Sequence, residues 1–399
     1  MDCCIVGGGP AGMMLGLLLA RAGRRVLVAE KHADFLRDFR GDTIHPSTLE
    51  VIWELGLLED FLRRPHQEVR ELQGEVGNRR VTLADFSHLP AHCRFIALMP
   101  QWEFLDFLSA QARRYPGFQL EMQAEATDLL RERDVVTGVR LRTPTSSLEV
   151  RAHLTIGADG RKSLLRERAG LRVLDQGSPI DVLWMKISRR EQDPDLPFGR
   201  VNQGRVLVLI YRDSYWQCGL VIPKGAGAQL QQQGIEAVRR EVASSAPFLQ
   251  DRVAELTSWD QIGLLTVTID RLAKWYVPGL LCIGDAAHAM SPVGGVGINL
   301  AIQDAVAAAN QLAEPLGRGS VSPLLLARIQ ARRELPTRLT QAVQVFLQNR
   351  ILSPALHAGN GQTATWPAEL FQRWPVLRRV PARLFGMGFL PEHVRLPAR

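Results

Sequence analysis

Cys3-Cys4-Ile5-Val6-Gly7-Gly8-Gly9-Pro10-Ala11-Gly12 opens the chain, and its reading decides the fold. Cys3 to Val6 form a short apolar strand. Gly7, Gly9 and Gly12 then fit G-x-G-x-x-G, with Pro10 and Ala11 inside the pattern. Met13 to Ala22 continue as an apolar helix that stops at Gly23. Arg25 to Ala29 make a second strand, closed by Glu30 and Lys31. Strand, glycine turn, helix, strand and terminal acid are the parts of a dinucleotide-binding βαβ unit in the right order. The first glycine permits the tight turn. The second lets the backbone approach a pyrophosphate, and the third lets the helix pack closely. Glu30 stands where an acid takes a ribose hydroxyl.

A second block lies far downstream. The apolar run Leu280-Leu281-Cys282-Ile283 feeds Gly284-Asp285-Ala286-Ala287-His288-Ala289-Met290-Ser291-Pro292-Val293-Gly294-Gly295-Val296-Gly297-Ile298-Asn299, with Asp304-Ala305 after it. A glycine-rich loop entering a helix presents bare backbone N–H groups where partial positive charge gathers. Asp285 can accept hydrogen bonds from a polyol. These features suit the ribityl chain and ring system of a flavin. Between the two blocks, Leu154-Thr155-Ile156-Gly157-Ala158-Asp159-Gly160-Arg161-Lys162-Ser163, with Arg166 next, reads as another strand, turn and basic helix start. By itself this block fits an ordinary turn and a capped helix equally well.

The three blocks in this order resemble the group A flavoprotein monooxygenases, the para-hydroxybenzoate hydroxylase-like family. The resemblance spans residues 1 to about 310. It implies a two-domain α/β fold. A Rossmann-like FAD-binding domain would comprise residues 1–70, 95–175 and 270–350. A mainly antiparallel β-sheet substrate domain would comprise 71–94 and 176–269. Residues 351–399 are left as a C-terminal segment, packed or a flap. It also implies noncovalent FAD, transient NAD(P)H and dioxygen. The reaction expected is hydroxylation of an electron-rich aromatic or polyketide-like small molecule through a flavin C4a-hydroperoxide. A reductase or oxidase of the same fold, acting on a lipid or isoprenoid, is the alternative.

Site residues follow from the resemblance one at a time. Gly7, Gly9 and Gly12, with Pro10 and Ala11, would face the pyrophosphate. Glu30, with Lys31 beside it, would meet the adenosine ribose. Arg40 would lie along FAD, and Gln101 near the ribityl chain. Asp159 would belong to the block shared by FAD and the nicotinamide cofactor. Gly284 and Asp285 would hold the ribityl chain, and Pro292 would face substrate and flavin. Gly295, Val296, Gly297, Ile298 and Asn299 would meet the pyrimidine edge of the ring. No catalytic base is evident. Pro292, His288 and Tyr211 are the catalytic candidates. His288 equally suits packing under the flavin loop, and Tyr211, Tyr215 and Trp216 equally suit a strand core. The paired tyrosines of the hydroxybenzoate enzyme have no clear counterpart. Tyr215 to Pro223 match only part of the W-x-W-x-I-P pattern of flavin halogenases.

Composition narrows the rest. The 399 residues, 46% of them hydrophobic, suffice for a large core and two domains. The net charge of +7 comes from scattered Lys and Arg, with no basic run carrying interleaved aromatics. That argues against nucleic acid and suits anionic NADPH or an acidic substrate. The five cysteines form no C-x-x-C, and the nine histidines show no ligand spacing, so no metal is expected. Neighbouring strand residues point to opposite faces, so Cys3 and Cys4 are not expected to act together. The chain enters its first strand at once and holds no apolar stretch of 18 residues, so a cytoplasmic protein without a membrane span is expected. The oligomeric state is open between monomer and homodimer. Ser47-Thr48-Leu49-Glu50 fits a capping box. Helices are expected over 101–114, 229–245, 297–314 and 323–352. Strands are expected over 181–188, 205–212 and 215–222, with 262–269 returning toward the FAD-binding domain. The C-terminal Trp366, Phe371, Trp374, Leu384, Phe385 and Phe389, broken by prolines, read as core packing, a flap, or a peripheral membrane contact helped by Arg373, Arg378, Arg379 and Arg383.

Overall fold

The structure, a computed structural model, describes residues 1–36, 43–76, 79–194, 199–202, 204–212, 214–357 and 366–396. Its first sheet runs in the order Tyr276–Val277, Leu280–Cys282, Leu154–Gly157, Cys3–Val6, Val26–Glu30, Phe118–Met122. All neighbours are parallel except the edge strand Tyr276–Val277. Cys3–Val6 sits between strands that follow it on either side, so the loops beyond its carboxyl end open at a topological switch point. Cys3 and Ile5 face a core shared with the helices Pro10–Arg21, Gln101–Ala112 and Gly297–Gly317. Cys4 and Val6 face the other way, against the antiparallel strands Glu125–Glu132, Val135–Arg142 and Ser147–Arg151. Covered on both faces, these strands read as continuous apolar runs rather than alternating ones.

A second, mainly antiparallel sheet has the order Gly263–Leu265, Ile180–Ser188, Tyr215–Pro223, Arg205–Tyr211, Gly199–Asn202, Glu71–Val76, Arg79–Asp85. Residues 71–85 thus join the strands of 180–265 across a long stretch of sequence. Alternation divides this sheet cleanly. Leu183, Met185, Ile187, Leu207, Leu209, Trp216, Cys218 and Leu220 pack under the helix Ile235–Ser245. Val182, Val206 and Val221 turn the other way and meet Val293 of the glycine-rich loop. The second face therefore looks onto the candidate site.

Several elements differ from the sequence reading. The helix expected from Ser47 begins at Pro46, with His45 as its cap and no side-chain cap bond. A proline at the first turn needs no N–H partner, and it overrides the capping box. Glu50, the acid of that box, instead accepts from His92 N at 3.1 Å, and Thr48 Oγ1 donates to Asn299 Oδ1 at 2.6 Å. The helix expected over 229–245 is two helices, Ala226–Gln232 and Ile235–Ser245, parted by Gly234 at φ 82°. Within the returning stretch 262–269, Gly263–Leu265 pairs as the edge strand of the second sheet. The last long helix, Pro323–Leu347, tolerates Pro336 and passes into a π-turn at Gln348–Leu352.

The C-terminal segment folds back. Ala382 and Met387 pack among Phe86, Leu89, Ile96, Leu98 and Ile210. Its end is tied by Val394 N donating to Glu54 Oε2 at 2.7 Å and Arg395 N donating to Asn310 Oδ1 at 2.9 Å. Trp374, Val376 and Val380 stay exposed. Among the described residues, no helix is long and apolar enough to cross a membrane.

Candidate functional site

The fingerprint turn shows three different demands for glycine. Gly7 has φ 106°, and a Cβ there would lie 2.2 Å from the Ala158 carbonyl oxygen. A Cβ on Gly12 would lie 2.0 Å from the Gly7 carbonyl oxygen. Gly9 meets nothing within 4 Å. Two of the glycines are thus consumed by the fold's own close approach, and the middle one borders open space. That is the cradle a pyrophosphate requires, at the start of the helix Pro10–Arg21, whose N-cap Gly9 carries no side chain. Glu30 closes the second strand. Its Oε2 accepts from Gly8 N at 2.8 Å, and its Oε1 accepts from His32 N at 3.1 Å. The acid therefore fixes the turn, with His32 Nδ1 also 2.5 Å from Oε1. Lys31 beside it is exposed.

The middle block is tied to the first and third. Ala158 meets Gly7 as described. Asp159 accepts from Ser163 Oγ at 2.5 Å and from Leu165 N at 3.1 Å, so its carboxylate caps the helix Leu164–Arg168. Burial pushes its carboxyl up despite those bonds. Arg161 Nε donates to Asp285 Oδ2 at 3.1 Å, with both side chains about one-third exposed (34% and 33%). A pair that open adds little stability, and its carboxylate stays within reach of a ligand hydroxyl.

The third block lies against the first. A Cβ on Gly284 would come within 3.0 Å of Ala11 Cβ and 3.3 Å of Ala301 Cβ, and its φ is 58°. Gly284 N donates to Asp304 Oδ2 at 3.0 Å. His288 Nε2 reaches the same oxygen at 2.5 Å, and the ring leans on Trp275 with centroids 5.0 Å apart. With 1% of its side chain exposed, His288 is enclosed beneath the loop. Further along, Pro292 O accepts from Gly295 N at 3.0 Å, closing the turn Val293–Gly295. Thr43 Oγ1 donates to Gly295 O at 2.9 Å. Asn299 Oδ1 accepts from His45 N at 3.0 Å as well as from Thr48. Its side chain thus clamps the helix start to residues 43–48. The helix Gly297–Gly317 begins at Val296 with no side-chain cap. The N–H groups of Gly297 and Ile298 there suit an acceptor-rich ring edge.

Other expected residues fall elsewhere. Gln101 opens the helix Gln101–Ala112 and is half-buried. Arg40 lies outside the described residues. Tyr211 stands on the helix-covered face of the second sheet. Its ring packs edge-on against Trp216, and the Arg189 guanidinium sits over it at 4.1 Å from the centroid. The face toward Val293 holds residues the sequence reading passed over. Trp184 pairs in register with Gly219, where a Cβ would strike its ring at 2.8 Å. Its Nε1 is buried without a partner among the described residues. Arg212, 7% exposed, donates to Gln217 Oε1 at 3.3 Å on the same face. Alternation from Val182 would have found Trp184. Phe385 lies over Gly294, where a Cβ would be 2.4 Å from its ring. Among the described residues no group of His, Cys, Asp and Glu is placed to hold a metal.

Comparison with known proteins bears on this arrangement. Residues 1–343 match the family model described as FAD binding domain. The chain is 34% identical over 391 residues to 6-methylpretetramide 4-monooxygenase of Streptomyces rimosus, covering 96% of this chain and 91% of that protein. Among solved structures, anhydrotetracycline hydroxylase OxyS from Streptomyces rimosus superposes with TM-score 0.78 at 23% identity, over 96% of this chain and 75% of that one. p-Nitrophenol 4-monooxygenase PnpA from Pseudomonas putida DLL-E4 also gives TM-score 0.78, at 18% identity, over 96% of each chain. These two share the fold.

Proposed function

The chain belongs to the FAD binding domain family of FAD-dependent aromatic hydroxylases and is a monooxygenase, and from that premise we propose that it hydroxylates a polycyclic phenolic polyketide at the expense of NAD(P)H. One observation carries the substrate class: the 34% identity to 6-methylpretetramide 4-monooxygenase extends over nearly the whole of both chains. Relatives named monooxygenases do not favour the reductase or oxidase alternative.

FAD fits the residues present. The open space at Gly9, the partly exposed Asp285 carboxylate and the uncapped helix start at Gly297 offer a pyrophosphate cradle, a polyol acceptor and free donors. Gly7, Gly9, Pro10, Ala11 and Gly12 would take the pyrophosphate, Glu30 the ribose, Asp285 the ribityl chain, and Gly295 to Asn299 the ring edge. Bound noncovalently and reduced by NAD(P)H, FAD supplies the activation of dioxygen. The chain's own part is orientation and exclusion of water. Val293 seals the loop against Val182, Val206 and Val221, and Phe385 covers Gly294. Trp184 Nε1 offers a buried donor to a phenol or ketone oxygen. His288, engaged below the loop, supports it rather than exchanging protons with substrate.

Five buried, unpaired cysteines support a reducing compartment such as the cytoplasm. Burial pushes the Cys4 thiol up to about 12, so it stays a small hydrophobe. The exposed Trp374, Val376 and Val380, beside exposed Arg373 and Arg379, support reversible contact with an anionic surface.

The test is a panel of polycyclic phenols added to the purified yellow protein with NADPH. A substrate should accelerate NADPH oxidation severalfold with little hydrogen peroxide released. Oxidation indifferent to every compound, or peroxide equal to the NADPH consumed, would overturn the substrate class.

A further inference from the structure

The charges beneath the glycine-rich loop continue past Asp304. Asp304 is fully buried. Burial alone would push its carboxyl up, but His288 and then Arg333 hold it below the usual carboxylate range. Its Oδ1 accepts from Arg333 Nε at 3.0 Å. Arg333, on the helix Pro323–Leu347, has 1% of its side chain exposed. Its Nη1 lies 3.5 Å from Glu392 Oε1 and 3.5 Å from the Leu390 carbonyl oxygen. Glu392, 5% exposed, also accepts from Arg332 Nε at 2.6 Å, and its N–H donates to Gln303 Oε1. A continuous chain of buried charge therefore runs from the C-terminal segment to Gly284 N.

Holding down the tail does not require this chain. Glu54 and Asn310 already tie His393, Val394 and Arg395 at the surface. A buried carboxylate is costly unless a buried cation needs it, and here Arg333 needs it. Asp304 gives Arg333 one carboxylate, which it shares with Gly284 N and His288. Without Glu392, Arg333 would be drawn wholly onto Asp304, and the Oδ2 bonds to the loop would shift. Gly284 has no slack to absorb a shift, wedged as it is between Ala11 and Ala301. Asp285 is the next residue.

We propose that Glu392 is a positioning residue for the glycine-rich loop, fixing Gly284 and Asp285 through Arg333 and Asp304. This rests on the reading that Gly284 to Asn299 hold the flavin.

The experiment compares FAD release from the holoprotein and the visible circular dichroism of bound flavin in four variants. Glu392→Ala should release FAD about tenfold faster, with an altered flavin dichroism, as expected for losing one charge-assisted contact. Glu392→Gln keeps an acceptor for the Arg332 hydrogen bond but removes the charge facing Arg333, and should fall between. Glu54→Ala cuts the surface tether alone and should match wild type. Asp285→Ala reports whether the loop holds FAD at all. If Glu392→Ala is folded with wild-type release and dichroism, the proposal fails. If it does not fold, a Glu392→Gln variant indistinguishable from wild type defeats it equally. Faster release from Glu54→Ala matching that of Glu392→Ala would replace the charge chain with a general clamp. If Asp285→Ala also leaves release unchanged, the flavin assignment of the loop has failed instead.

Discussion

Gly9 and Gly12 belong to one fingerprint but answer to different constraints. Gly12 lies against the Gly7 carbonyl, so a methyl there must move backbone, and Gly12→Ala should lower apoprotein stability along with FAD binding. Gly9 has φ −73° and open space, so Gly9→Ala should leave apoprotein unfolding unchanged. Its methyl would intrude on the pyrophosphate, and losing one charge-assisted contact of about 1.5–3 kcal/mol corresponds to roughly tenfold to hundredfold weaker FAD. Titration of both apoproteins with FAD, beside thermal melts, checks the pair. Equal behaviour would refute the assigned roles. Asp285→Ala removes the polyol acceptor and should weaken FAD by a similar roughly tenfold to hundredfold. The same substitution removes the carboxylate that Arg161 Nε donates to. Unchanged FAD binding in this variant would mean that the ribityl chain lies elsewhere.

At the scale of elements, the C-terminal segment is held where the helix Pro46–Glu54 begins. His45 Nδ1 donates to the Phe385 carbonyl at 2.7 Å, and burial pulls the His45 pKa down to about 4. The ring is neutral in the folded chain and takes a proton more readily when unfolded, at the ordinary value of 6.5. Its contribution is therefore complete above pH 6.5 and is lost as pH falls from 6.5 to about 4, on the order of 3 kcal/mol in all. His45→Asn, a good cap that does not titrate here, should flatten that part of the stability curve in urea unfolding from pH 7.5 to 4.5. An unchanged slope would show that other groups titrate instead. Asp193 governs a lower window. Burial pushes it up, but Arg252 and Trp216 Nε1 hold it at about 2. That stability is present above the unfolded carboxylate value and lost as pH falls from about 4 to about 2. Asp193→Asn should remove this acid-labile step when the urea series is carried on below pH 4. Removing residues after 374 would uncover Phe86, Leu89, Ile96 and Leu98, so that truncation should aggregate rather than yield a loosely lidded enzyme.

For the whole molecule, what the sequence disclosed was local. Gly7 to Glu30 and Gly284 to Asn299 could be read because strand, turn and helix start are contiguous, and each glycine marks a backbone demand. What stayed hidden depends on partners far away in the chain. Asn299 reads as a ring-edge contact through its N–H, but nothing near it in sequence shows that its side chain bonds His45 and Thr48, 254 and 251 residues distant. Glu50 reads as the acid of a capping box, but it accepts from His92 N, 42 residues on. Tyr211 could be placed on a strand from its neighbours, but which face carried it depended on where the helix Ile235–Ser245 docked. Phe385 read only as one of several C-terminal aromatics, with nothing to place it over a glycine turn, and Glu392 gave no signal, because a carboxylate under two arginines looks ordinary in one dimension. The net charge of +7 acts at this scale too. Attraction of NADPH by a basic surface is screened over about 10 Å at 0.1 M salt, so flavin reduction at low NADPH should slow with added salt.

The central claim is that these loops hold FAD so that one atom of dioxygen enters an aromatic substrate. The most direct measurement is turnover of a stimulating polycyclic phenol with NADPH under oxygen-18 dioxygen, followed by mass spectrometry of the product. The account predicts a product heavier by a single oxygen-18 atom, with none acquired from labelled water. A product without the label, or one formed equally well without dioxygen, would contradict it.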